Sequence, residues 1–410
     1  MKSDIDRLMA ARGFDAIVVL ISDAYSPYVD YLVGRAALSN GMVFKDWQAP
    51  PVLVVNPMER DEAAATGCRF FTYDELGQQA LLDQYPDDPL MARVMLWGKC
   101  LQQFGTPNGR VGVYGIAEAE YALALVAKLE ETFPQYDFVG ESGTTLFAEA
   151  AMTKDADELR RLRSVGDRTS AVVRATWEFI AGHRANADEL VVKRDGTSLT
   201  IGDVKRFVRR ALLDRDLEER EMIFAQGRDA GVPHNRGQDA QALRLGASII
   251  FDLFPRELGG GYFHDVTRTW CIGYAPDEVR EAYHAVSEAF DVALELYAVN
   301  RPVSDMQLAV QASLEARHHP TSRSHPGTLE GYVHGLGHGV GLAIHEGYNI
   351  THRNQSDTFQ VGNVITIEPG LYYPERGFGV RLEDTVYAAP DGRLVSLTDV
   401  PKELVLPLRG

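Results

Sequence analysis

The sequence predicts two domains: an α/β domain over residues 1–152, then an α+β domain over 153–410 in which helices cover an antiparallel sheet. Three observations predict this. At 410 residues the chain exceeds what one ordinary hydrophobic core organises. Helix and strand signals alternate up to about residue 150, whereas short strand-like runs punctuated by Gly, Pro and Asn dominate after residue 220. Between them, AAMTKDADELRRLRSVGDRTSAVVRATWEFI opens a long helical pattern at the place where the texture changes.

The elements follow in order. Ser3 or Asp4 caps a short helix that stops at Gly13, and DAIVVL (15–20) reads as a buried strand. PPVLVV (50–55) and RVGVYG (110–115) are further apolar strands, and 117–133 is a helix with Tyr121, Leu125, Leu129 and Phe133 on one stripe. Thr153 or Asp155 caps the long helix, with Glu158 at capping-box distance from Asp155. A helix after Thr200 carries Val204, Phe207, Val208, Ala211 and Leu212 at core spacing. Strands are expected at 222–227, 247–254, 262–272, 364–373 and 380–388, interrupted by a helix near 277–298.

Composition removes several function classes. The 45 % apolar content is that of a globular protein, and no apolar run approaches the roughly 18 residues of a membrane span. Acids in the first turns of MKSDIDRLMAARGFDAIVVL argue against a secretory signal. Cys68, Cys100 and Cys271 lie far apart, so neither a disulfide framework nor a zinc knuckle is expected, and the cytoplasm is the default compartment. A formal charge of −17 disfavours nucleic acid and anionic membranes as partners.

The chemistry concentrates in GYVHGLGHGVGLAIHEGYNI (331–350), which holds His334, His338 and His345 among glycines. The glycines make a helix costly. Read with period two, His334, Leu336, His338, Val340, Leu342 and Ile344 share one face and Gly335, Gly337, Gly339 and Gly341 the other, where a second backbone or a ligand approaches closely. Two further stretches place acids in apolar strands: Asp252 and Asp265 flank a glycine-rich turn (259–261), and Glu368 and Glu383 flank a Pro/Gly turn. One such acid is ordinarily a rim residue, and four are costly unless paired or bound to metal. Two divalent cations would balance four carboxylates, with a neutral histidine as a fifth ligand. Oxygen ligands with an imidazole suit Mn²⁺, Co²⁺, Fe²⁺ or Zn²⁺.

The order Asp252, Asp265, His338, Glu368, Glu383, with GYFHDVTRT, HGLGHGVGL, IEPGLYY and VRLEDT, resembles the five-ligand signature of the pita-bread metallopeptidases, in the branch of prolidase (Xaa-Pro dipeptidase) and aminopeptidase P. The resemblance is specific over 153–410 and architectural over 1–152. It implies a pita-bread catalytic domain and two divalent ions, Mn²⁺ first among Co, Zn and Fe. On this resemblance Asp252 would bind one ion, Asp265 and Glu383 would bridge both, and His338 with Glu368 would complete the other. By the same resemblance Glu368 would also exchange protons with the attacking water, His345 would steady the scissile carbonyl, His334 would line the proline side, His234 would assist substrate binding and the leaving group, and Arg381 would brace the ligands. The Asp252-to-Asp265 spacing is two residues longer than the family usually has, which falls on the ELGGGYF turn and preserves facing by period two. His264, His284, His318, His319, His325 and His352 read as surface or loop residues.

The resemblance thus implies cleavage between an N-terminal residue and proline in short peptides by a homodimer, the N-terminal domain narrowing the cleft. A dipeptidase needs a cation for the free carboxylate, for which Arg353, Arg228 and Arg236 are candidates, while an aminopeptidase P leaves that side open. Two other classes compete: a metal-independent creatinase-like amidinohydrolase and a non-catalytic peptide-binding module. Both would be expected to lack members of the ligand set, which is complete here.

Overall fold

The computed structural model describes residues 4–105 and 107–410. The chain divides into two compact units, Met1–Ala150 and Ala151–Gly410.

The first unit is α/β. It runs α1 (Ile5–Arg12), β1 (Ala16–Ile21), α2 (Pro27–Val33), β2 (Gly41–Asp46), β3 (Val52–Val55), α3 (Arg60–Ala65), β4 (Arg69–Thr72), α4 (Gln78–Gln84), α5 (Pro89–Phe104), β5 (Gly109–Gly115), α6 (Ala119–Thr132), β6 (Tyr136–Val139) and α7 (Leu146–Ala151). Gly13 ends α1 in the left-handed region, with φ 64°. Ser3 lies outside the described residues, and Asp4 occupies the N-cap, its side chain making no capping bond but accepting from the Tyr31 hydroxyl at 3.4 Å. The strands form one mixed sheet in the order β4-β3-β2-β1-β5-β6. β1 pairs antiparallel with β2 and parallel with β5 and is buried at every position, which is why AIVVLI is apolar throughout instead of alternating. The predicted α6 stripe is buried at Leu125, Leu129 and Phe133, whereas Tyr121 in its first turn is 36 % exposed.

The second unit is α+β. α8 (Ala156–Ala181) opens on a capping box: the Asp155 carboxylate accepts the N–H groups of Asp157 and Glu158, and Glu158 accepts the N–H of Asp155. A two-residue ribbon, β7 (Arg184–Ala185) with β8 (Val191–Val192), leads to α9 (Ile201–Leu213), which Thr200 and Asp203 cap in the same way. There follow β9 (Leu217–Glu218), β10 (Met222–Gln226), β11 (Ser248–Leu253), β12 (Arg256–Glu257), β13 (Val266–Ile272), α10 (Asp277–Leu296) and α11 (Val303–Ala316). The chain ends through β14 (Gly337–Gly339), β15 (Glu346–Ile350), β16 (Val364–Ile367), β17 (Gly370–Tyr373), β18 (Phe378–Arg381), β19 (Glu383–Ala388), β20 (Leu394–Ser396) and β21 (Val405–Leu406). Nine strands form one sheet along the path β10-β11-β13-β19-β16-β14-β15, with β20 on β19 and β21 on β13.

Three expectations change. α11 is absent from the sequence-based list. Its Val303, Met306, Val310 and Leu314 pack with Ala282, Ala285 and Ala289 of α10 against Leu336, Ile365 and Val386. The runs 364–373 and 380–388 each break in two: β16 pairs with β19, while β17 and β18 form a separate hairpin. Pro369 lacks the N–H that would extend the β16 ladder. In the histidine stretch only Gly337–Gly339 and Glu346–Ile350 are strand, so the alternation expected from His334 to Ile344 is broken, and Leu336 enters the apolar core rather than sharing the histidines' side. The glycines do admit close backbone: a Cβ on Gly337 would lie 2.0 Å from the Thr366 carbonyl oxygen. Among the described residues no helix is long and apolar enough to cross a membrane.

Candidate metal centre

The sheet register builds the site. Asp252 of β11 lies opposite Thr267 of β13, and Thr267 lies opposite Glu383 of β19. Residues in register on neighbouring strands share a face, so these three side chains form one row. Thr267 Oγ1 donates to Glu383 Oε2 at 2.7 Å. Asp265, just before β13, is held by Thr385, whose hydroxyl donates to the Asp265 carbonyl at 2.8 Å and accepts its N–H at 3.2 Å. Glu368 follows β16, its N–H bonded to the Leu336 carbonyl at 2.8 Å. The long Asp252-to-Asp265 connection is taken up outside this row, where β12 pairs with β9.

His338 sits on β14, its N–H bonded to Thr366 Oγ1 at 3.1 Å. Its Nδ1 lies 3.1 Å from the Gly339 carbonyl, so the proton resides on Nδ1 and the Nε2 lone pair is left to face the acids. Nε2 stands 3.6 Å from Asp265 Oδ2 and 3.8 Å from Glu368 Oε1. Asp265, His338 and Glu383 present ligand atoms all within 4.8 Å of one another. Asp252 and Glu368 flank this trio.

Electrostatics fit a cation. Burial, with the charges of Asp252 and Glu368, raises the Asp265 carboxyl well above its usual range, and burial with Asp265 does the same to Glu383. Burial pushes Glu368 up to about 8. Burial and the neighbouring His345 depress His338 to about 3, leaving it neutral and able to coordinate. Asp252 Oδ1 and Asp265 Oδ1 are buried without a hydrogen-bond partner among the described residues, a costly state that a metal ion would relieve. Four carboxylates against one imidazole nitrogen form a hard, oxygen-rich donor set.

Arg381, 3 % exposed, donates to Asp252 Oδ2 at 2.5 Å, to Tyr372 Oη at 2.9 Å, to the Pro233 carbonyl at 3.2 Å and to Thr267 Oγ1 at 3.2 Å. His334 has both ring nitrogens engaged, Nδ1 with the Gly335 carbonyl at 2.7 Å and Nε2 with Tyr372 Oη at 2.8 Å, so it offers ring surface rather than a ligand atom. His345 packs edge-on against His338 with centroids 4.2 Å apart. All nine residues singled out from the sequence, His234 among them, line one cavity of about 410 Å³, a size suited to a small ligand. Of the three arginines proposed as carboxylate anchors, Arg236 lines it, paired with Glu221, whereas Arg228 and Arg353 do not.

His264 requires correction. It is fully buried, with Nε2 3.1 Å from Thr398 Oγ1, and burial depresses it to about 4. Neighbours in extended chain face opposite ways, so placing Asp265 in the site sends His264 into the layer behind, near Gly166 of α8. Thr267, Thr385 and Tyr372 also serve the site, and of these only Thr385, on the Glu383 face of its strand by period two, is expected from the sequence. Thr267 stands two residues from Asp265, the same spacing that marks Thr385 beside Glu383; Tyr372, within an apolar run, carries no such signal.

Residues 160–390 match metallopeptidase family M24, and the chain belongs to that family. Its second unit has the pita-bread fold. The Xaa-Pro dipeptidase of Pyrococcus furiosus is 33 % identical over 185 residues, 45 % of this chain and 49 % of that protein. The prolidase structure from Pyrococcus horikoshii superposes with a TM-score of 0.74 at 20 % identity, covering 98 % of each chain. The X-prolyl aminopeptidase of Caenorhabditis elegans, titled a cytosolic enzyme with a di-nuclear active site, gives 0.65 at 19 % identity over 97 % of this chain and 61 % of its own. The chain spans 46 % to 62 % of the length of the first curated relatives it matches.

Proposed function

We propose that this chain is a metal-dependent peptidase that hydrolyses the bond between an N-terminal residue and proline, acting as an Xaa-Pro dipeptidase. The observation that carries the reading is the bare Nε2 of His338 facing Asp265 and Glu368, with Asp265, His338 and Glu383 in mutual reach. Asp252, Asp265, His338, Glu368 and Glu383 would hold two divalent ions, Mn²⁺ first among the candidates. Such a pair supplies a hydroxide near neutral pH by lowering the pKa of water. The remaining work falls to the protein. Glu368, at the edge of the ligand group, would take a proton from the attacking water and return it to the leaving group. His345 and His234, both exposed to the cavity, orient the scissile carbonyl and the leaving nitrogen. His334 contributes a wall for the pyrrolidine ring. The dipeptidase name of the P. furiosus relative supports the substrate class, and the di-nuclear title of the C. elegans enzyme supports two ions. A cytoplasmic homodimer accompanies this reading.

One observation favours the aminopeptidase P alternative. Arg381 is committed to the ligand row, and Arg236, the other lining arginine, is paired with Glu221. A dipeptide's carboxylate must therefore compete with Glu221. The deciding experiment offers Xaa-Pro and Xaa-Pro-Yaa to Mn²⁺-loaded and chelator-treated protein. Metal-dependent cleavage of the dipeptide alone is expected; equal or faster tripeptide cleavage selects the alternative, and cleavage of neither rejects both.

A further inference from the structure

The faces of β13 and β19 turned away from the cavity carry a second polar cluster. Side chains alternate along a strand, so Thr267 and Glu383 point into the cavity while their neighbours Arg268 and Asp384 point behind it. Arg268 is 1 % exposed, and all five of its N–H groups are used. Nη1 donates to the carbonyl oxygens of Thr267 at 2.9 Å and Glu383 at 2.7 Å; Nη2 donates to Asp384 Oδ1 and to the Val400 carbonyl, both at 2.7 Å; Nε donates to the Pro401 carbonyl at 3.0 Å. Asp384 in turn accepts from Lys402 Nζ at 2.5 Å, and that ammonium lies 4.5 Å from the Phe290 ring centre.

The position of this guanidinium is informative. The β13–β19 ladder has only two residue pairs, Val266 with Asp384 and Thr267 with Glu383. Where the strands part, the carbonyls of the last pair are joined through Arg268 instead of through each other's backbone. That last pair is the one whose side chains meet on the cavity side of the sheet, Thr267 Oγ1 donating to Glu383 Oε2, and Glu383 lines the cavity.

We infer that Arg268, Asp384 and the segment Val400–Lys402 form a positioning brace that fixes the Glu383 carboxylate for metal binding from behind the sheet. The inference rests on the metal-dependent reading above. Outer groups that orient a ligand typically change metal affinity about 10–100-fold. Arg268 is a positioning residue: it touches neither the cavity nor a substrate.

The test is Mn²⁺ titration of metal-free full-length protein by calorimetry. The variants are Asp384→Asn, which keeps volume but removes the charge Arg268 and Lys402 share, and Lys402→Gln, which acts at a one-third-exposed side chain and leaves the core intact. Near-UV circular dichroism checks the fold, and peptide kinetics are read in parallel. Wild type is expected to take two ions. In the variants one ion should bind at least about tenfold more weakly, with kcat reduced and KM for the peptide unchanged. Arg268→Lys, retaining one donor group, should fall between. Wild-type affinity for both ions in folded Asp384→Asn or Lys402→Gln overturns the brace; if Asp384→Asn does not fold, Lys402→Gln decides. A wild type that binds no Mn²⁺ instead defeats the underlying reading.

Discussion

Arg381 Nη2 lies 2.5 Å from Asp252 Oδ2, and both side chains are buried beside three further acids. The guanidinium thereby spends its charge on a flanking ligand, not on a substrate. Replacing it with lysine keeps the charge but loses the fork that also reaches Tyr372 and Pro233. Arg381→Lys is expected to weaken Mn²⁺ binding about 10–100-fold. Unaltered affinity in a calorimetric titration would show that Asp252 needs no orientation.

His338 and His345 stack edge to face, yet only His338 aims a lone pair at Asp265 and Glu368. His338→Ala should lose one equivalent of metal together with activity. His345→Ala should retain two equivalents, with kcat lowered about 10²–10³-fold, the cost of one donor to a developing charge. Metal analysis of the two purified variants separates them; equal metal loss in both means the two histidines are not distinct in role.

Metal-free stability should respond to pH in a defined direction. Glu368 is raised to about 8, and Asp265 and Glu383 are raised well above their usual values, so the folded state binds more protons than the unfolded chain. Stability from such groups is complete below the unfolded carboxylate pKa and is lost as pH climbs through the folded one. The depressed His334 and His338 oppose this only below about pH 6.5, where unfolded histidine titrates. Between about pH 6.5 and 8 the Tm of the metal-free protein should therefore fall, and saturating Mn²⁺ should abolish the fall. A flat or rising metal-free profile in that window would falsify the clustering of protonated acids.

Thr267→Val removes the hydroxyl that donates to Glu383 Oε2 and accepts from Arg381 Nε, while keeping the shape. Leaving a buried acceptor without its partner costs about 1–3 kcal/mol. Denaturant unfolding without metal measures it; no loss of stability means water replaces the hydroxyl.

Gly337→Ala places a methyl 2.0 Å from the Thr366 carbonyl oxygen, a backbone atom that cannot rotate away. Separation of β14 from β16 should cost about 1–3 kcal/mol and move His338 out of reach of Glu383. Wild-type stability and metal content together would show the sheet opens at no cost.

Much of the site was legible because its chemistry is written in residue type. Acids inside apolar strands and a histidine among glycines each violate a local expectation, and such violations mark function. The capping box of α8 and the apolar run of β1 were legible for the opposite reason, since they satisfy local rules. His264 and Tyr372 were not. His264 differs from a surface histidine only by the layer packed on it, and Tyr372 resembles any apolar strand residue until β17 folds back on β18 and sets its hydroxyl between Arg381 and His334.

The sequence by itself determined two folding units of different class, the five acidic and imidazole groups suited to metal, and the glycines that let strands close around them. These depend on side-chain chemistry and short-range periodicity, which a linear chain states directly. Tertiary structure alone decided that Asp252, Thr267 and Glu383 fall in one row across β11, β13 and β19, and that Arg268 joins the last of those pairs from behind. Register between strands far apart in sequence is set by long-range pairing and burial, and no local pattern encodes it.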